Sequence, residues 1–139
     1  AGLAGLRIGF AIGNEQVVNN IERLTGPYDI NSFAVKAAFA VFADQNYVDD
    51  YVKQVLKAKE WIQKQLIISN LRYQMDGGNF FLLWPKKQPS EIDALLKDKG
   101  ILIRSMEGKK TIQDAIRISI GTTDQMQEFW KVYKEIDNI

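Results

Sequence analysis

The chain has 139 residues, 18 Lys and Arg against 17 Asp and Glu, and a net charge of +1. Apolar residues are 46% and charged residues 25%, the balance of a folded globular chain and not of a disordered or fibrous one; the near-neutral charge gives no electrostatic case for nucleic acid or an anionic membrane. With no Cys and no His, these residues hold no disulfide, thiol nucleophile, Ser-His-Asp triad or Cys/His metal site, and no metal is assigned.

Residues 1–13 are apolar without a basic lead-in, and no apolar run approaches the roughly 18 residues of a membrane span. The lack of Cys fits a reducing, cytoplasmic setting. The chain opens without Met on Gly2-Leu3-Ala4-Gly5-Leu6-Arg7, which reads as a piece of a longer protein.

Leu6 to Ile12 is apolar on both faces and predicts a buried strand. Without neighbouring strands it would expose an apolar edge. Asn14 is placed to cap a helix with apolar positions Val17, Val18, Ile21 and Leu24. Thr25-Gly26-Pro27 ends that helix, and Tyr28 to Ser32 forms a loop. Asn31 or Ser32 then caps an Ala-rich helix to about Ala43. The stretch Phe33 to Phe42 is apolar almost all round and predicts burial between layers. After Asp44-Gln45-Asn46, a long helix runs from about Tyr47 to Ile67, with a stripe through Val48, Tyr51, Val52, Val55, Ile62 and Leu66.

From residue 71 the pattern changes to strands. Leu71, Tyr73 and Met75 alternate with polar residues, Asp76-Gly77-Gly78 turns, and Phe80 to Trp84 is a core strand ended by Pro85. Ser90 with Asp93 reads as a capping box, with Gly100 at the C-terminal end of that helix. Ile101 to Ile103 and Ala115 to Ile120 are short strands. Thr122 with Gln125 caps a last helix whose core face is Met126, Phe129, Tyr133 and Ile136.

Three arginines interrupt or follow apolar runs: Arg7, Arg104 and Arg117. In Ile116 to Ile120, period 2 puts Arg117 and Ser119 on one face and three isoleucines on the other. The isoleucines face the core, so Arg117 looks over a surface or a cleft. A solvated arginine on an open sheet face is one explanation. A bidentate clamp for carboxylate or phosphate is the other. Arg104 has the same two readings, with an exposed strand end as the simpler. Arg7 is either ion-paired or, among Gly and Ala, open to a phosphate-sized ligand. Asn31 reads as a cap and Asn79 as a turn residue. Tyr28 is either a pocket phenol or a packed loop aromatic. Lysines such as Lys57, Lys59, Lys109 and Lys110 read as solvated.

These motifs, in this order, resemble the C-terminal part of the fold-type-I pyridoxal-phosphate aminotransferases, and within them the histidinol-phosphate aminotransferase branch. The family's Gly-Leu-Ala-Gly-Leu-Arg segment stands here at Gly2 to Arg7, before Gly9-Phe10. Its Pro-Tyr-Asn-Val-Asn-Ser loop corresponds to Pro27 to Ser32, with Asp29 in place of Asn, so Asp29 is given no role. Its Asn-Phe, Gly-Ile-x-Val-Arg and Leu-Arg-Ile-x-Ile-Gly-Thr strands correspond to Asn79-Phe80, Gly100 to Arg104 and Ile116 to Thr122.

The resemblance implies an α/β architecture. Residues 1–45 would end a large domain that binds pyridoxal 5'-phosphate, 46–67 would be the connecting helix, and 68–139 a small α+β domain, an antiparallel sheet covered by helices. It implies that Arg7 binds the cofactor phosphate, that Arg117 with Arg104 binds the substrate's acidic group, and that Asn31 and Tyr28 lie near the substrate. The Schiff-base lysine would lie upstream of Ala1, so no catalytic residue is assigned and these residues alone are expected to be inactive. The parent would be a cytoplasmic homodimer transferring an amino group between histidinol phosphate and 2-oxoglutarate. An aromatic aminotransferase or a threonine-phosphate decarboxylase stays open beside this, as does a non-catalytic α/β binding module.

Overall fold

The computed structural model describes residues 3–26 and 30–139. The chain divides between Tyr51 and Val52 into two compact units, and the division falls inside its longest helix.

In the first unit a single 3-10 turn occupies Leu3–Leu6. The strand expected over Leu6 to Ile12 is absent: Phe10 is 70% exposed and Ile12 99%. A strand is held by the ladder of a neighbour, and no strand is present among the described residues of this unit. Helix α1 spans Glu15–Glu22, and the Asn14 side chain accepts from the Gln16 N–H at 2.9 Å. Helix α2 spans Ser32–Ala43, and Asn31 accepts from the Ala34 N–H at 2.7 Å.

The expected burial of α2 between layers is corrected by the structure. Only Ala34 and Ala38 are buried, while Phe33, Phe39 and Phe42 are exposed. The short elements described in this unit are too few to enclose so apolar a helix, although the Phe10 and Phe42 rings meet at 5.5 Å. Asp44 ends α2 and accepts from the Tyr47 N–H at 3.1 Å, so the long helix α3, Gln45–Ile68, begins at once.

The second unit holds the core. Its antiparallel sheet has β1 (Tyr73–Gln74), β2 (Phe80–Leu83), β3 (Arg104–Ser105) and β4 (Ile116–Ser119) in the order β1-β2-β4-β3. Helices α4 (Pro89–Asp98) and α5 (Thr123–Asp137) join the C-terminal part of α3 on one face. Ala58, Ile62 and Leu66 of α3, Ile92 and Leu96 of α4, and Met126, Phe129, Trp130 and Tyr133 of α5 pack there. They meet Phe81, Leu83, Ile116, Ile118 and Ile120 from the sheet. Burying each large aliphatic side chain contributes about 2 kcal/mol.

Two local expectations over 88–105 are displaced. Helix α4 has Gln88 at its N-cap and no side-chain cap, not a Ser90 box, because Pro89 occupies the first helical position with its φ already set. The strand expected at Ile101 to Ile103 forms instead at Arg104–Ser105, where β4 is within pairing reach. Gly100, at φ +78, closes α4 as expected: its N–H donates to the Lys97 carbonyl and the Ile101 N–H to the Leu96 carbonyl.

Candidate functional site

Strand β4 sets the geometry. Ile116 and Ile118, followed by Ile120, are buried on the helix side, and the intervening Arg117 stands half-buried on the open side. The ladder registers carry that side across the sheet. Gln74 of β1 is opposite Leu82 of β2, Leu82 opposite Arg117, and Arg117 opposite Arg104 of β3. Cross-strand partners share a face, so these four residues form one row over four strands. Arg104 and Arg117, read separately from the sequence, are thus brought side by side.

Phe80 is one pleat along from Leu82 and is paired with Ser119. The Arg117 guanidinium carbon lies 5.3 Å from the centroid of its ring, a cation–π contact worth about 0.5–1 kcal/mol. The reading of Phe80 to Trp84 as a uniform core strand is therefore corrected. Phe81 and Leu83 are core, whereas Phe80 is 41% exposed on the arginine side. Among the described residues Arg117 forms no ion pair with a carboxylate. Its charge faces the cavity with no carboxylate partner among the described residues.

A cavity of about 350 Å³ opens on this face. Phe80, Leu82 and Arg117 of the sheet line it, together with Met106 and Ile112 from the segment between β3 and β4. The β1–β2 hairpin adds Gln74, Asp76 and Gly78. A Cβ on Gly78 would stand 3.0 Å from the Phe80 ring, so glycine lets the ring lie against the turn. Lys59 of α3, half-buried where a solvated side chain was expected, donates to the carbonyls of Asp76 and Gly78 and ties the hairpin end to the helix layer. The sequence reading gives Gln74 no role, takes Asp76 only as part of a turn and takes Lys59 as solvated. The signal available was the period-2 placement of residues 74 and 76 beside a glycine turn, which has meaning only once the hairpin register is known.

In the first unit, Arg7 follows the 3-10 turn at φ +56 with its side chain exposed. Its N–H donates to the Ala4 carbonyl at 3.2 Å. Asn31 does two jobs: it caps α2, and its Nδ2 donates to the Leu6 carbonyl at 3.3 Å. The cap of α2 thereby holds the residue before Arg7. Tyr28 lies outside the described residues.

The strand-borne arginines and the arginine after the glycine-rich turn accompany a match to the model of aminotransferase class I and II over residues 1–132. The chain belongs to that family. Histidinol-phosphate aminotransferase 1 of Oceanobacillus iheyensis is 32% identical over 141 residues, covering 99% of this chain and 39% of that protein. Its namesake in Pseudomonas fluorescens is 31% identical over 129 residues, covering 90% and 37%. The histidinol-phosphate aminotransferase of Sinorhizobium meliloti, solved in complex with pyridoxal-5'-phosphate, superposes with a TM-score of 0.78 at 26% identity, over 99% of this chain and 38% of that one. The L-threonine-O-3-phosphate decarboxylase of Porphyromonas gingivalis, at 21% identity and TM-score 0.74, shares the fold. This aminotransferase-family chain spans about two fifths of the length of these relatives. Its helices and small antiparallel sheet match the fold-type-I aminotransferase structures over that span.

Proposed function

We propose that this chain is the C-terminal part of a pyridoxal-phosphate-dependent aminotransferase of the histidinol-phosphate type, in which Arg117 binds the acidic group of the amino donor or of the 2-oxo acid. The observation that carries this reading is the placement of Arg117: rooted in a strand whose other face is core, in contact with Phe80, and aimed at a cavity without a carboxylate partner among the described residues. A planar guanidinium so held suits bidentate recognition of carboxylate or phosphate. Arg104, its cross-strand partner, adds charge to the same anion site.

In this reading residues 1–45 end the large cofactor domain, 46–67 connect, and 68–139 form the small domain. Arg7 suits a phosphate. Its side chain is exposed, open space lies beside Gly5 and Gly9, and the Asn31 amide steadies the turn before it. For Tyr28 the family resemblance implies a role near the substrate. Pyridoxal 5'-phosphate, held through its phosphate by Arg7, would supply the electron sink that amino transfer needs. The chain's own residues hold anions: Arg7 that of the cofactor, Arg117 and Arg104 that of the substrate. No lysine of residues 1–139 is assigned the covalent role, and these residues by themselves are not expected to transfer amino groups. The remainder of the large domain would cover the exposed apolar side chains of α2. We place the whole protein in the cytoplasm as a homodimer.

The test is turnover by the full-length protein that contains residues 1–139. Amino transfer from histidinol phosphate to 2-oxoglutarate is the expected result. Activity confined to aromatic amino acids, or carbon dioxide release from threonine phosphate, would move the chain to those branches. No reaction with any of them would favour a binding module.

A further inference from the structure

We propose that Asp76 and Gln74 form a second recognition pole in the Arg117 cavity, one that selects ligands carrying an ammonium or other N–H group at the end remote from their anion. The inference rests on the reading of Arg117 as the anion partner and adds the opposite end of the same ligand.

The cross-sheet row supplies the span. Gln74 and Arg117 are separated by one strand, with Leu82 between them in register. At about 4.8 Å per strand their backbones stand roughly 10 Å apart. The floor between them is apolar, Leu82 in the row and Phe80 one pleat along, and Met106 and Ile112 add apolar wall. The surface is therefore a short greasy track with a cation at one end.

The other end presents acceptors. Asp76 follows Gln74 by two residues, and both line the cavity. Gln74 Nε2 donates to Asp76 Oδ2 at 3.0 Å. That bond uses an amide N–H on the carboxylate and leaves Gln74 Oε1 and Asp76 Oδ1 without a protein donor among the described residues. What remains is a carboxylate and an amide oxygen, complementary to an N–H donor or a cation. Asp76 and Arg117 line one cavity with opposite charges and form no ion pair with each other among the described residues.

The acidic end is also anchored. Lys59 spends its ammonium on the backbone carbonyls of Asp76 and Gly78, and among the described residues it makes no ion pair with the Asp76 carboxylate. The loop that carries the acceptor pair is thereby fixed to α3, leaving the carboxylate to meet a ligand. A ligand bridging both poles has an acid group, a few methylenes or a flat ring, and an N–H-bearing head.

The test titrates the 139-residue chain with two isosteric probes, 6-aminohexanoate and heptanoate, and follows backbone amide shifts by NMR. The wild-type chain is expected to bind the amino compound about fivefold more tightly, the size of a partly exposed charge pair. Asp76→Asn is expected to bring the affinity ratio toward one, and Gln74→Leu to lower it with the Asp76 charge kept. Arg117→Gln is expected to abolish binding of both probes. No preference in the wild type, or a preference that survives Asp76→Asn, overturns the second pole. Such a result leaves the anion reading standing as long as Arg117→Gln abolishes heptanoate binding. Undiminished binding by Arg117→Gln overturns the anion reading instead, and binding of neither probe to the wild type overturns both.

Discussion

Arg104 and Arg117 stand directly opposite each other across β3 and β4, two cations in one cross-strand pair. Like charges so placed weaken a sheet, by about 0.5 kcal/mol relative to a neutral pair. The arrangement makes sense where an anion settles between them, since binding to the folded state alone raises stability by mass action. Arg104→Gln should therefore stabilise the chain by about 0.5 kcal/mol in low-salt buffer without anions. It should also shrink the stabilisation gained on adding phosphate. Urea melts of both proteins, with and without phosphate, check this; an unchanged phosphate increment would show that Arg104 has no part in anion binding.

Arg117 is the stronger case, because its fork rests on Phe80 and faces the cavity. In the full-length enzyme Arg117→Ala should lower kcat/KM by about 2–4 kcal/mol, as a bound anion loses its charged partner. Arg117→Lys should recover only part of this, since a point charge cannot reproduce the two parallel donors. Steady-state kinetics with both variants decide the matter, and an unchanged kcat/KM in the alanine variant would refute the clamp.

Legibility in the sequence followed how local each signal was. The alternation Ile116-Arg117-Ile118-Ser119-Ile120 fixes its own faces, and the structure agrees residue for residue. Gly100 and the pair Thr122 with Gln125 are likewise local, and both close or open their helices as read. Non-local features failed. Leu6 to Ile12 has strand composition but no partner strand among the described residues, and Phe33 to Phe42 has core composition with only two alanines buried. Asp137 is not singled out in the sequence, where nothing local marks it as buried. Its burial depends on the turn at Lys86 and Lys87, some fifty residues away, which no window of sequence can show. The cavity is of the same kind, since its row of four side chains exists only through three strand registers.

Asp137, 1% exposed, gathers four donor contacts from three groups. The Lys86 N–H reaches both carboxylate oxygens at 3.1 and 3.0 Å, the Lys87 N–H one of them at 3.0 Å, and the Tyr133 hydroxyl donates at 2.8 Å. Asp137→Ala leaves those donors without acceptors in a closed site, which should destabilise the chain by about 3 kcal/mol. Tyr133→Phe keeps both backbone donors served and should cost about 1 kcal/mol. The two changes share one partner, so the double variant should cost less than their sum. Denaturant melts of the three variants measure the coupling.

Tyr133 also sets an alkaline limit. Burial, then the hydrogen bond to Asp137 and its negative charge, push the Tyr133 hydroxyl above its ordinary value of 10.0. The unfolded chain therefore releases this proton at a lower pH than the folded one. The stability it contributes is complete below about pH 10 and declines as pH rises beyond that value. Melts from pH 8 to 11 should show a plateau and then a fall, and the fall should be shallower in Tyr133→Phe. An equally steep fall in that variant would assign the alkaline limit to other groups.

Gly121 prepares the start of α5 by being bare. Gln125 Oε1 accepts from the Thr122 N–H at 2.9 Å, and Thr122 Oγ1 accepts from the Gln125 N–H at 3.4 Å. A Cβ on Gly121 would fall 2.0 Å from Gln125 Oε1, inside any allowed contact. Gly121→Ala must therefore expel the glutamine side chain from its cap, at a cost of about 1 kcal/mol. Gln125→Ala removes the same bond by truncation and should cost a similar amount. With the glutamine already shortened, the added methyl meets only the Cβ of residue 125 at an ordinary 3.5 Å. The double variant should then be no less stable than Gln125→Ala alone, and additive losses in urea melts would show that Gly121 serves the chain by some route other than the capping box.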